Sequence, residues 1–72
     1  MKTYNVFYAG LLYGQYDRDG WPRSHSFPDG CYCLMTFSDK SHAWYIHMGG
    51  GFTPINLADV PNEVRLLTIL LT

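Results

Sequence analysis

Charge is scarce in this chain. Of its 72 residues, only 15% are Asp, Glu, Lys or Arg, against about a quarter in an ordinary soluble domain. The five basic residues, Lys2, Arg18, Arg23, Lys40 and Arg65, are scattered. Electrostatic capture of DNA or RNA needs clustered cations that displace counterions, so a nucleic-acid partner is not expected. Six acidic residues are too few to imitate a DNA backbone. Long apolar runs are missing too. The longest, over 66–71, is broken by Thr68 and falls far short of the ~20 residues of a bilayer span. The opening Met1-Lys2-Thr3-Tyr4-Asn5 lacks the apolar core of a secretion signal. The expectation is a cytoplasmic protein with no membrane partner, its Cys31 and Cys33 reduced.

Aromatic residues are plentiful. Six Tyr, four Phe and two Trp make up 17% of the chain. A domain this short buries only roughly 60% of the surface its unfolded chain exposes, so twelve rings cannot all be interior. Tyr and Trp left at a surface often mark contact sites.

The residue pattern is that of one domain over 1–72. Strand formers alternate over 3–9, and a bent continuation or second strand is expected over 11–16, with Gly10 and Gly14 marking a bend or close approach. The stretch 17–30 is the longest loop, punctuated by Asp19-Gly20, Pro22, Pro28 and Asp29-Gly30. A hairpin follows, with strands over 31–37 and 42–48 joined by the four residues Ser38-Asp39-Lys40-Ser41. That connection pairs Phe37 with His42, Met35 with Trp44, Cys33 with Ile46 and Cys31 with Met48. One face then holds Cys31, Cys33, Met35, Phe37, Trp44, Ile46 and Met48 as a core. The opposite, outer face holds Tyr32, Leu34, Thr36, Ala43, Tyr45 and His47. A one-residue slip would scramble this assignment.

Beyond Gly49-Gly50-Gly51, the chain reads as extended over 52–57 and then helical. Asp59 is placed to cap the helix, Pro61 suits its first turn, and Glu63 favours the positive end of the dipole. Val60, Val64, Leu67 and Leu71 form one stripe, which Leu66, Ile69 and Leu70 widen almost to the full circumference. Such a helix is expected to be buried on more than one side. The fold class expected is α+β: a small antiparallel sheet of three to four strands packed on one C-terminal helix.

No residue set meets the requirements of a catalytic centre, so neither an enzyme nor a bound cofactor is expected. Cys31-x-Cys33 with His25, His42 and His47 has zinc-ligand residue types, but zinc wants four converging ligands, usually with wider cysteine spacing. His42 and His47, five apart on a strand, point to opposite faces, so at most one joins the cysteines. The alternative to a small zinc-binding domain is two buried apolar cysteines. A Cys–His nucleophile needs an exposed thiolate, and the hairpin turns both cysteines inward. The triple glycine does not open a helix and no Lys follows it, unlike phosphate-binding loops. Ser24-His25 with the nearby aspartates lies in one loop, whereas triads draw their members from separate rigid elements.

The surface aromatics Tyr13, Tyr16, Trp21, Tyr32 and Tyr45 remain. They would either bind a protein or fold back over the sheet. Trp21 and Arg23 from the loop, with Tyr32, Tyr45 and His47 from the outer face, are the expected partner-binding residues. In its general look, and in the tail Leu57-Ala58-Asp59-Val60-Pro61-Asn62-Glu63-Val64-Arg65-Leu66-Leu67, the chain resembles small phage-encoded proteins that bind and redirect or disable a host machine. What the resemblance implies is an inhibitor or regulator of a larger assembly, such as RNA polymerase or a CRISPR effector. It carries over no individual residue. The alternative is a homo-oligomeric structural module, paired through the helix over 61–71 or an edge strand over 3–9.

Overall fold

The computed structural model describes residues 2–17 and 27–70, with residue 70 by its backbone alone. Five strands, β1 (Thr3–Tyr8), β2 (Leu11–Asp17), β3 (Tyr32–Thr36), β4 (His42–Met48) and β5 (Gly51–Ile55), precede a short 3-10 turn, Leu57–Asp59, and one helix, α1 (Asn62–Leu70). The strands form a single antiparallel sheet in the order β2-β1-β3-β4-β5. The α+β class expected from sequence holds, with five strands instead of three or four. The added strand is β5. Its Pro54 interrupts a strand-like pattern, but β5 lies at a sheet edge, where a missing N–H is tolerated.

Three tight turns set the registers. Ala9 and Gly10 both have positive φ, 54° and 76°, and link the paired residues Tyr8 and Leu11. Gly49 and Gly50, at 60° and 84°, do the same between Met48 and Gly51. Two consecutive positive φ values define the type I′ turn, whose twist matches that of a hairpin. The triple glycine is thus a tight turn with its third residue in the next strand.

The β3–β4 connection differs from expectation. The Phe37 amide donates to the Ser41 carbonyl and the Lys40 amide to the Phe37 carbonyl, so the loop has three residues, with Lys40 at φ 71°. A three-residue loop ending in a left-handed residue is the next commonest hairpin type. Ser41 braces it by donating from its hydroxyl (2.6 Å) and its amide (3.0 Å) to Asp39 Oδ1. Those two bonds hold the Asp39 carboxyl below its ordinary range. Shortening the loop by one residue moves β4 by one. Cys33 therefore pairs with Tyr45, Leu34 with Trp44 and Tyr32 with Ile46.

That one-residue shift reassigns the faces. Tyr45 and His47 join the side of Cys31, Cys33 and Met35, while Trp44 and Ile46 join Tyr32, Leu34 and Thr36. The expected common outer face of Tyr32, Tyr45 and His47 does not exist.

Both faces carry core. On the first, Tyr4, Val6, Phe27, Cys31, Cys33 and Met35 are buried together. On the second, Phe7, Leu34 and Trp44 from the sheet pack with Val60 and Val64. The interior strand β1, flanked by β2 and β3, serves both, which is why residues 4–7 are all buried despite the alternation of their side chains. At Val6/Phe7 a bulge inserts Tyr13 into β2.

Helix α1 starts two residues later than a cap at Asp59 suggests. Pro61 is its N-cap, its carbonyl accepting from the Val64 and Arg65 amides, and Asp59 sits in the preceding 3-10 turn. One face of the helix is buried through Val64 and half-buried Leu67. Leu66 and Ile69 stay 61% and 66% exposed. The expectation of burial on more than one side is not met by the described residues.

Candidate functional site

Phe27 is the hub of the first sheet face. It is buried and meets four other rings edge-on: Tyr13 at 5.5 Å, Tyr16 at 5.9 Å, His47 at 6.0 Å and Phe52 at 5.7 Å between centroids. Quadrupoles of aromatic rings favour such T-shaped contacts. Residues from β2, β4 and β5 are thereby tied to the end of the 18–27 stretch, so one loop aromatic does fold back over the sheet. Gly14 shapes this region. A Cβ there would lie 2.8 Å from Tyr16 Oη, so the missing side chain lets the Tyr16 ring lie flat along β2.

His47 is 7% exposed, and Phe52 packs edge-on against it at 5.0 Å. Its Nδ1 has no hydrogen-bond partner and stands 3.6 Å from Oδ1 of exposed Asp29, beyond hydrogen-bond reach. The Asp29-Gly30 turn brings the carboxylate there. Gly30, at φ 95°, and Cys31 both oppose His47: the Gly30 amide donates to its carbonyl, and its amide donates to the Cys31 carbonyl. Two residues facing one is a bulge.

The cysteines lie in this environment as free thiols. Burial raises the Cys33 pKa to about 12. Cys31 is raised chiefly by burial and further by the Asp29 carboxylate. Protonated thiols are poor nucleophiles and poor metal ligands. Among the described residues, no three His, Cys, Asp or Glu side chains group closely enough to hold a metal ion.

The expected partner-binding residues are dispersed. Tyr32 is half-buried on the helix side of the sheet. Tyr45 is half-buried on the opposite side against Cys33 and its neighbours, and His47 is interior. Trp21 and Arg23 lie outside the described residues.

Exposed apolar surface concentrates elsewhere, at the β1–β2 hairpin. Tyr8 is 41% exposed, Leu11 69%, Leu12 42% and Tyr13 47%. Tyr8 and Tyr13 meet edge-on at 6.3 Å. Among the described residues β2 is a sheet edge, and every one of its positions except Gly14 and Tyr16 is exposed. Edge strands commonly carry charge or proline against unwanted pairing. Here the first six residues of β2, Leu-Leu-Tyr-Gly-Gln-Tyr, have neither. The sequence signal was Leu11-Leu12 immediately after a turn, where solvent-facing polar residues are the rule.

The fold and these surfaces define a small α+β domain with an open apolar hairpin edge. Comparison with known protein families, with curated proteins and with solved structures returned no match. No helix among the described residues is long and apolar enough to cross a membrane.

Proposed function

We propose that this domain is a non-catalytic binding protein that modulates a larger protein machine by occupying part of its surface. The observation that carries the reading is the run of exposed apolar side chains on the β1–β2 hairpin, Tyr8 at the end of β1 and Leu11, Leu12 and Tyr13 on the edge strand β2. An edge of this kind accepts an extended segment of a partner as an added strand. Main-chain hydrogen bonds supply affinity and the adjacent side chains supply selectivity. Large rings with polar tips suit such a contact. Burial of both thiols in their protonated form favours a structural over a nucleophilic role for the cysteines. Trp21 and Arg23, outside the described residues, remain proposed contact residues.

The test is affinity capture from host lysate with tagged wild-type protein and with the Leu11→Lys variant. Stoichiometric recovery of one larger protein by wild type, and its loss from the variant, is the expected result. Equal recovery by both would remove the hairpin edge from the interface. Recovery of only the chain itself, with light scattering showing a dimer, would favour self-association through the same edge.

A further inference from the structure

A second surface lies between the sheet and α1, on the face opposite Phe27. There a cleft of about 470 Å³ falls within the range typical of small-molecule sites. Its floor includes one cross-strand row. Gln15 pairs with Asn5, Asn5 with Leu34, and Leu34 with Trp44, so four neighbouring strands present these side chains side by side. Arg65 and Thr68 of α1 line the same cleft.

Asn5 is the unusual member. It is 7% exposed, and its Oδ1 is buried without a hydrogen-bond partner. A buried amide carbonyl left unbonded is destabilising, and a hydrophobic residue on this interior strand would avoid that. Arg65 is similar: one Nη donates to Asn62 Oδ1, while its Nε is buried and unpartnered. An acceptor on the floor and a cation on the wall thus both have unused bonding capacity, with the apolar surfaces of Leu34 and Trp44 beside them.

From this arrangement we infer that the cleft binds a small planar aromatic ligand carrying a ring N–H and an anionic group. The ring N–H donates to Asn5 Oδ1. Rotation about χ2 of Asn is broad and brings that oxygen to the ligand. The anion accepts from the Arg65 guanidinium, whose planar donors suit carboxylate and phosphate alike. The ring packs on Trp44 and Leu34. The inference is independent of the hairpin-edge reading, since β2 contributes only Gln15 to this cleft.

The probe is indole-3-carboxylate, titrated into isotope-labelled protein by NMR. Saturable shifts are expected at the Asn5 side-chain amide, the Trp44 indole N–H and the Arg65 Nε–H. Naphthalene-1-carboxylate, which lacks the N–H, should bind about tenfold more weakly, as should indole-3-carboxylate to Asn5→Leu. Naphthalene-1-carboxylate should not distinguish wild type from Asn5→Leu. Tryptamine, which replaces the anion with a cation, should not bind. The wild-type ligand comparison stands even if Asn5→Leu fails to fold, and Arg65→Gln, on the half-exposed helix side, gives an independent variant with weakened binding of both acids. The inference is overturned if indole-3-carboxylate causes no saturable shift, if its shifts map away from this cleft, or if both acids bind wild type equally.

Discussion

Phe27 and Phe52 stand edge to face with centroids 5.7 Å apart at 65°, joining the chain that enters β3 to the edge strand β5. Phe27 lies in no strand, whereas Phe52 is held in β5 opposite His47. Ring packing therefore anchors Phe27 at this junction. Phe27→Ala is expected to cost about 3–5 kcal/mol, enough to unfold much of a domain this small. Phe27→Leu keeps most of the volume and should cost less than half as much. Chemical denaturation of the two variants checks both.

Turn conformation gives a prediction of opposite sign. Lys40 holds φ at 71°, a region that disfavours residues with a Cβ. Lys40→Gly removes that strain and should stabilise the fold by about 0.5 kcal/mol after the glycine's own entropy cost. Gly50→Ala, at φ 84°, should destabilise it by about 1 kcal/mol. Thermal unfolding midpoints moving in opposite directions are the expected readout.

Much of the architecture was legible. The positions of β1, β2, β3 and β4 and of the helix follow from alternation, turn residues and the Pro61–Glu63 start. The faces of β3 and β4 were not, because they depend on whether Ser41 belongs to the loop or to the pair that closes it. A lysine in the left-handed region leaves no mark in the sequence comparable to glycine, so the four-residue loop and the three-residue loop look alike until Phe37 and Ser41 are seen bonded. The site suffered most from this. Side chains expected to be outward became core, and the exposed Leu11 and Leu12 look like core residues to any pattern based on hydrophobicity.

Cys33 makes stability fall on the alkaline side. Burial raises its pKa to about 12 from the ordinary thiol value of 9.0, so the folded state keeps a proton that the unfolded state releases. The contribution is fully present below pH 9 and declines between pH 9 and 12, because there the unfolded chain binds fewer protons. The slope approaches about 1.4 kcal/mol per pH unit for one such group. Cys33→Ala should flatten the difference between unfolding at pH 8 and at pH 10.5. Tyrosine titration is common to both proteins, so the comparison isolates the thiol. A thiol reagent at pH 8 should label Cys33 only on unfolding.

The two sides of α1 should respond differently. Val64 is 3% exposed against Phe7, Leu34 and Trp44, and Val64→Ala should cost about 2 kcal/mol from lost burial and the cavity left behind. Leu66→Gln and Ile69→Gln, at largely exposed positions, should change stability by no more than about 0.5 kcal/mol. Denaturation of these three variants in parallel tests the orientation of the helix on the sheet.

The proposed contact edge is β2. Backbone hydrogen exchange, measured on the domain alone and on its complex with the captured protein, tests it most directly. The amides of β2 that point away from β1 are expected to exchange freely in the isolated domain, while those that donate to β1 are already protected; in the complex the outward-pointing set becomes protected too, with side-chain shifts at Leu11, Leu12 and Tyr13. Protection confined to β5 or α1, with the amides of β2 unchanged, would contradict it.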